Sequence, residues 1–139
     1  MFIDRPKYTE RIKPFIGKNI IKVLTGQRRV GKSYILLQLI EYIKQTIQNS
    51  NIVYINLEFE EFRQLRFDED LFDYLKDKFS ADKTNFLFID EIQDISGFEN
   101  VLRNLFAKNT CDIFITGSNA KMLSSELSTY FPSNFSGVP

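Results

Sequence analysis

Residues 20–33 read IIKVLTGQRRVGKS. Ile20, Ile21, Val23 and Leu24 form a β-branched and aliphatic run of the kind that fills a buried strand. Gly26, Gly31, Lys32 and Ser33 then fit the spacing G-x-x-x-x-G-K-[ST], a loop whose backbone N–H groups can cradle a phosphate. Downstream of Ser33, Leu36, Leu39, Ile40, Ile43 and Ile47 recur at helical spacing. The stretch therefore reads as strand, phosphate loop and helix N-terminus, with the helix over 32–48.

The chemistry follows from those residue types. Gly26 and Gly31 permit backbone angles closed to residues with a Cβ, so successive N–H groups from Gly26 through Gln27, Arg28, Arg29, Val30 and Gly31 can turn inward. The helix adds free N–H groups and the positive end of its dipole from Lys32 through Ser33 and Tyr34. Lys32 is expected at the β- and γ-phosphates and Ser33 on Mg²⁺. The blander alternative is a glycine turn before a helix with a solvated lysine. Arg28 and Arg29 carry two readings as well, solvated or serving a neighbouring subunit's nucleotide.

Composition narrows the classes. The chain of 139 residues has the length of one domain, read here as a single unit over 1–139 with an arm at 1–19 and an irregular tail at 131–139. Its fourteen phenylalanines are expected to dominate the core. The absence of histidine removes the commonest general base and zinc ligand. The single Cys111 reads as a small core or near-core residue rather than a nucleophile. The polar N-terminus and the lack of an apolar run of membrane-spanning length read as soluble and cytoplasmic, with no membrane partner. Net charge is zero, yet residues 1–33 carry nine Lys/Arg against Asp4 and Glu10. That basic third suits a polyanionic ligand. Nucleic acid is the weaker reading, because the bases lack interleaved aromatics at a recognisable spacing.

Further strands are expected at 52–57, 86–90 and 112–116, and helices at 68–79 and 97–108. Leu71, Phe72, Leu75 and Phe79 give the first of these helices its apolar face, with Lys76 and Lys78 in its last turn. A short helix is expected within 8–12 and another between Asn119 and Ser128. Strands alternating with helices imply a parallel sheet with right-handed crossovers. Ligands in such sheets bind at the strand carboxyl ends. Three polar groups fall there: the glycine loop, Asp90-Glu91, and Thr116 to Asn119.

Phe86-Leu87-Phe88-Ile89-Asp90-Glu91 ends an apolar strand in two acids. Asp90 is the expected Mg²⁺ ligand, and Glu91 the group that orients and polarises a water. Asn119 could hydrogen-bond a γ-phosphate or that water, although Asn after Gly-Ser is also ordinary turn chemistry.

Together GQRRVGKS, FLFIDEIQDI and DIFITGSNAKML resemble the prokaryotic AAA-superfamily ATPases with a G-x-R-R-x-G-K Walker A loop and a DEIQ Walker B motif. The resemblance runs from about Arg5 to Tyr130. It implies an α/β fold, the P-loop NTPase three-layer sandwich, with a parallel sheet of at least four strands in the order 5-1-4-3-2. It also implies ATP and Mg²⁺ as ligands, ATP hydrolysis, and Lys32, Glu91 and Asn119 as its catalytic residues. The resemblance further implies a C-terminal portion beyond the position called sensor 1, which this sequence is expected to lack. The tail supplies no arginine, so the alternative to an ATPase core is a nucleotide-binding switch with little or no hydrolysis. Residues 131–139, with two prolines and no period-2 alternation, read as poor strand material. The strand before the glycine loop is then expected to be an open edge, covered by the basic arm or by self-association.

Overall fold

The computed structural model describes residues 6–18, 20–25, 31–118 and 135–138. Helix α1 (Pro6–Ile12) and a 3₁₀ turn (Lys13–Phe15) lead into β1 (Ile21–Thr25). The order continues α2 (Lys32–Thr46), β2 (Ser50–Asn56), a 3₁₀ turn (Glu60–Phe62), α3 (Asp68–Leu75) and β3 (Thr84–Asp90). A 3₁₀ turn (Ile92–Asp94), α4 (Phe98–Lys108), β4 (Asp112–Gly117) and β5 (Phe135–Val138) complete it.

The five strands form one parallel sheet in the order β2-β3-β4-β1-β5. Side-chain alternation splits the core between its faces. Leu87, Ile89, Ile113 and Ile115 pack with Leu71 and Leu75 of α3 and Val101, Leu102 and Leu105 of α4. Phe86, Phe88 and Phe114 face the other way, onto Leu36, Leu39, Ile40 and Ile43 of α2 and Ile12 of α1. The result is a three-layer α/β sandwich, the arrangement the family resemblance implied, built on the parallel sheet expected of the alternating pattern. Phe88 and Phe114 stack across β3 and β4 with ring centroids 4.5 Å apart.

Four expectations change. Residues 135–138 are a strand, not irregular tail: Phe135 to Val138 pair in register with Ile21 to Leu24. The prolines at 132 and 139 flank this four-residue strand without interrupting it, and an edge strand on a formed sheet needs backbone pairing more than an alternating pattern. β1 is therefore interior, between β4 and β5, and no arm or second chain is needed to cover it. Helix α3 stops at Leu75, so Lys76 and Lys78 lie beyond its last turn, and Phe72 is exposed rather than on the buried face. Among the described residues phenylalanine does not dominate the core either. Phe62, Phe86, Phe88, Phe98 and Phe114 are buried among a larger set of Ile, Leu and Val, while Phe59 and Phe67 are exposed. The helix expected between Asn119 and Ser128 lies outside the described residues.

Sequence reasoning also passed over Lys22. Its side chain is buried in β1 on the α2 face, where its Nζ pairs with Asp112 at the start of β4 and sits 4.7 Å from the Phe114 ring centroid. The ammonium also donates to the carbonyls of Ile20 at 2.9 Å and Lys18 at 3.3 Å. Asp112 accepts the Gly17 N–H at 2.8 Å. The pair thus ties the segment before β1 to the amino ends of two strands. Burial lowers the pKa of Lys22 and raises that of Asp112, and their mutual attraction opposes both shifts.

Candidate functional site

Strand carboxyl ends bring the expected side chains together. Gly31 caps α2 at φ 89°, a left-handed conformation that favours glycine. Lys32 follows and is only 5% exposed. Its Nζ donates to the Gly117 carbonyl at 2.9 Å, lies 3.4 Å from Ser118 Oγ, and sits 3.5 Å from Glu91 Oε2. Ser33, one residue on, donates its hydroxyl to Asp90 Oδ2. Tyr34 is half-buried on the same turn. Gly26, Gln27, Arg28, Arg29, Val30 and Asn119 lie outside the described residues.

Asp90 ends β3 and Glu91 follows it, and both are nearly inaccessible, at 1% and 3% exposure. One hydroxyl fixes both: Thr116 Oγ1, buried in β4, donates to Asp90 Oδ1 and accepts the Glu91 N–H at 2.9 Å. Register explains the meeting, since Ile89 pairs with Ile115 and the next residues along both strands reach the same level. Glu91 has φ 63° and ψ 51°, a left-handed conformation costing a non-glycine residue roughly 1–2 kcal/mol. Strain of this kind collects at sites where a side chain must be aimed. The Glu91 carboxylate takes donors from Gln93 Nε2 at 2.6 Å and Ser118 Oγ at 2.7 Å.

The electrostatics are those of a site short of positive charge. Burial pushes the Asp90 carboxyl above its ordinary range, the Ser33 and Thr116 hydroxyls pull it back, and Glu91 and Glu58 add to the upward push. A divalent cation beside Asp90 would relieve that cost. Ser33 and Asp90 supply two hard oxygen donors in contact, the modest protein share Mg²⁺ takes when phosphates and waters complete its shell. The residues present fit the ion.

Three roles here go beyond the expectation that Thr116 to Asn119 would lie at the site: Thr116 as the hinge between the acids, Ser118 as a donor to Glu91, and Gln93 as a second donor. A hydroxyl ending the apolar run of β4 was the legible signal for the first. Asn56 is also buried here, opposite Asp90 in the β2–β3 register, its Nδ2 3.3 Å from the Tyr54 hydroxyl. A cavity of about 290 Å³ opens at the other, amino end of the strands, lined by Lys18, Lys83, Asn85, Thr110 and Asp112. It holds none of the acid and lysine chemistry above.

The family model described as AAA domain matches residues 18–136. This chain belongs to the AAA domain family. Membership points to nucleotide binding, the broad activity of such domains. An uncharacterized protein of Haemophilus influenzae is 36% identical over 129 residues, covering 91% of this chain and 32% of that protein. An uncharacterized protein of Methanocaldococcus jannaschii is 40% identical over 112 residues, covering 80% of this chain and 24% of that one. This chain thus spans only about a third of the first relative's length and about a quarter of the second's.

Solved structures show the same fold at low identity. Domain III of the replication initiation protein DnaA from Thermotoga maritima superposes with a TM-score of 0.62 at 18% identity, covering 99% of this chain and 65% of that one. PCH-2 of C. elegans gives 0.56 at 18% identity, covering 95% and 39%. Drosophila ORC, in a structure bound to AT-rich DNA and Cdc6, gives 0.57 at 13% identity, covering 96% and 52%. The sheet order observed here is the order 5-1-4-3-2 that the sequence resemblance implied, read from the other edge.

Proposed function

We propose that this AAA domain binds Mg-ATP at the carboxyl ends of its strands and hydrolyses it to ADP and phosphate. The observation that carries the reading is the buried junction of Lys32 with Glu91, and of Ser33 with Asp90, at the head of α2. A lysine held by a carbonyl and a carboxylate in a buried pocket is a cation ready to exchange those partners for phosphate oxygens. The backbone of Gly26, Gln27, Arg28, Arg29, Val30 and Gly31 cradles the phosphates, Lys32 reaches the β- and γ-groups, and Tyr34 lies on the helix turn behind them. Ser33 and Asp90 would hold a magnesium ion, whose charge would offset that on the phosphate oxygens. Glu91 accepts the proton of the attacking water, and Asn119 hydrogen-bonds the γ-phosphate or that water. Steady-state phosphate release tests the reading. Wild type turns over with Mg-ATP, and Glu91→Gln keeps ATP binding while losing turnover by about 10²–10⁴-fold.

One observation favours a second reading, a nucleotide-binding switch. The Glu91 carboxylate is already engaged by Lys32, Gln93 and Ser118, so a bound nucleotide could register in these contacts without being cleaved. Tight Mg-ATP binding with no phosphate release from wild type selects that reading instead.

A further inference from the structure

Gln93 lies in the 3₁₀ turn that follows Glu91. Its Nε2 donates to Glu91 Oε1 at 2.6 Å, and Ser118 Oγ donates to the same oxygen at 2.7 Å. The other carboxylate oxygen, Oε2, is the one that faces Lys32. Gln93's own carbonyl oxygen is buried and has no hydrogen-bond partner among the described residues. Turning the amide over would set that oxygen against the carboxylate, so Glu91 fixes the amide's orientation. An unpaired buried oxygen is costly, and an apolar side chain of the same size would avoid the cost. The amide is a poor choice for packing and a good one for holding a carboxylate.

We propose that Gln93 is a positioning residue for Glu91. It holds Oε1, with Ser118, so that Oε2 is the oxygen presented to water once a triphosphate draws Lys32 away. The strained backbone of Glu91 is consistent with a side chain that must be aimed, since such strain collects at functional sites. This inference rests on the hydrolysis reading above.

Gln93→Leu tests it. The change keeps side-chain volume and removes the unpaired oxygen, and Ser118 still donates to Glu91 Oε1, so the variant should stay folded with at most a modest drop in melting temperature. Its kcat should fall roughly 10–100-fold, the cost of a misaligned reacting group. Its KM for Mg-ATP should not change, because the Gln93 donor goes to Glu91 and not to Lys32 or Ser33. In a Glu91→Gln background the same change should cost nothing further, since the two residues act as one unit. An unchanged kcat, or an equal loss in both backgrounds, overturns the proposal. NMR of the Gln93 side-chain amide gives a readout independent of turnover. Its signals should shift on Glu91→Ala and hold their place when a non-hydrolysable ATP analogue is added with Mg²⁺. If they do so in a wild type that releases no phosphate, hydrolysis is refuted and the positioning of Glu91 stands. Signals indifferent to Glu91→Ala refute the positioning whatever the turnover.

Discussion

Thr116 shows how much one hydroxyl can organise. It joins two buried acids, donating to Asp90 and accepting the backbone N–H of Glu91. Thr116→Val keeps the shape and leaves both partners unsatisfied. It should destabilise the domain by about 1–3 kcal/mol, read as a lower urea midpoint with an unchanged m-value. An unshifted midpoint would mean that water replaces the hydroxyl. Cys111 makes the opposite case, a reactive group made inert. Burial, with Asp112 adding to it, pushes its thiol up to about 12. The thiolate is the nucleophile, so a raised pKa lowers reactivity: at pH 8 only about one thiol in 10⁴ is ionised. Labelling by iodoacetamide at pH 8 should be at least 100-fold slower in the folded protein than in urea, on the same reasoning. Comparable rates would contradict the raised thiol pKa. The acids, the lysine and the serine of the site were legible because each stands at a fixed place in a motif. Thr116 and Ser118 were legible only as polar residues at the strand end and Gln93 not at all, because their roles exist only where two strand ends and a turn meet in space.

At the scale of elements, α2 and β3 followed from pattern alone: Leu36, Leu39, Ile40 and Ile43 share one stripe, and the Phe86 to Ile89 run is buried on both faces. Helix α3 ends four residues before its apolar pattern does, since the acids at 68–70 mark its start but nothing at Lys76 marks its end. Lys22 was illegible for a different reason. A lysine in a strand normally marks a solvated face, and its burial depends on Asp112, 90 residues away. Removing one member of such a pair strands the other. Lys22→Met should therefore cost about 3–5 kcal/mol, while Lys22→Met with Asp112→Asn should recover part of that loss. Thermal melting of the single and double variants reads the difference. Equal losses in both would show that packing, not charge pairing, is what Lys22 contributes.

The whole molecule adds the fifth strand. β5 makes β1, the strand that carries the glycine loop, an interior strand paired on both sides. The sequence window over 131–139 counted prolines that bracket the strand, and tertiary pairing overrode the weak local signal. Deleting residues 131–139 should reopen the edge. Amides of residues 21–25 should then exchange faster in hydrogen–deuterium measurements, and light scattering should show concentration-dependent association. Unchanged protection would mean that β5 contributes little to holding β1.

The central claim is that this sheet presents Lys32 to nucleotide phosphates, and titration calorimetry with Mg-ATP tests it most directly. Wild type should bind. Lys32→Ala should bind roughly 10–150-fold more weakly, the loss of a charge-assisted contact worth about 1.5–3 kcal/mol. Equal Mg-ATP affinity in the two proteins would contradict the account.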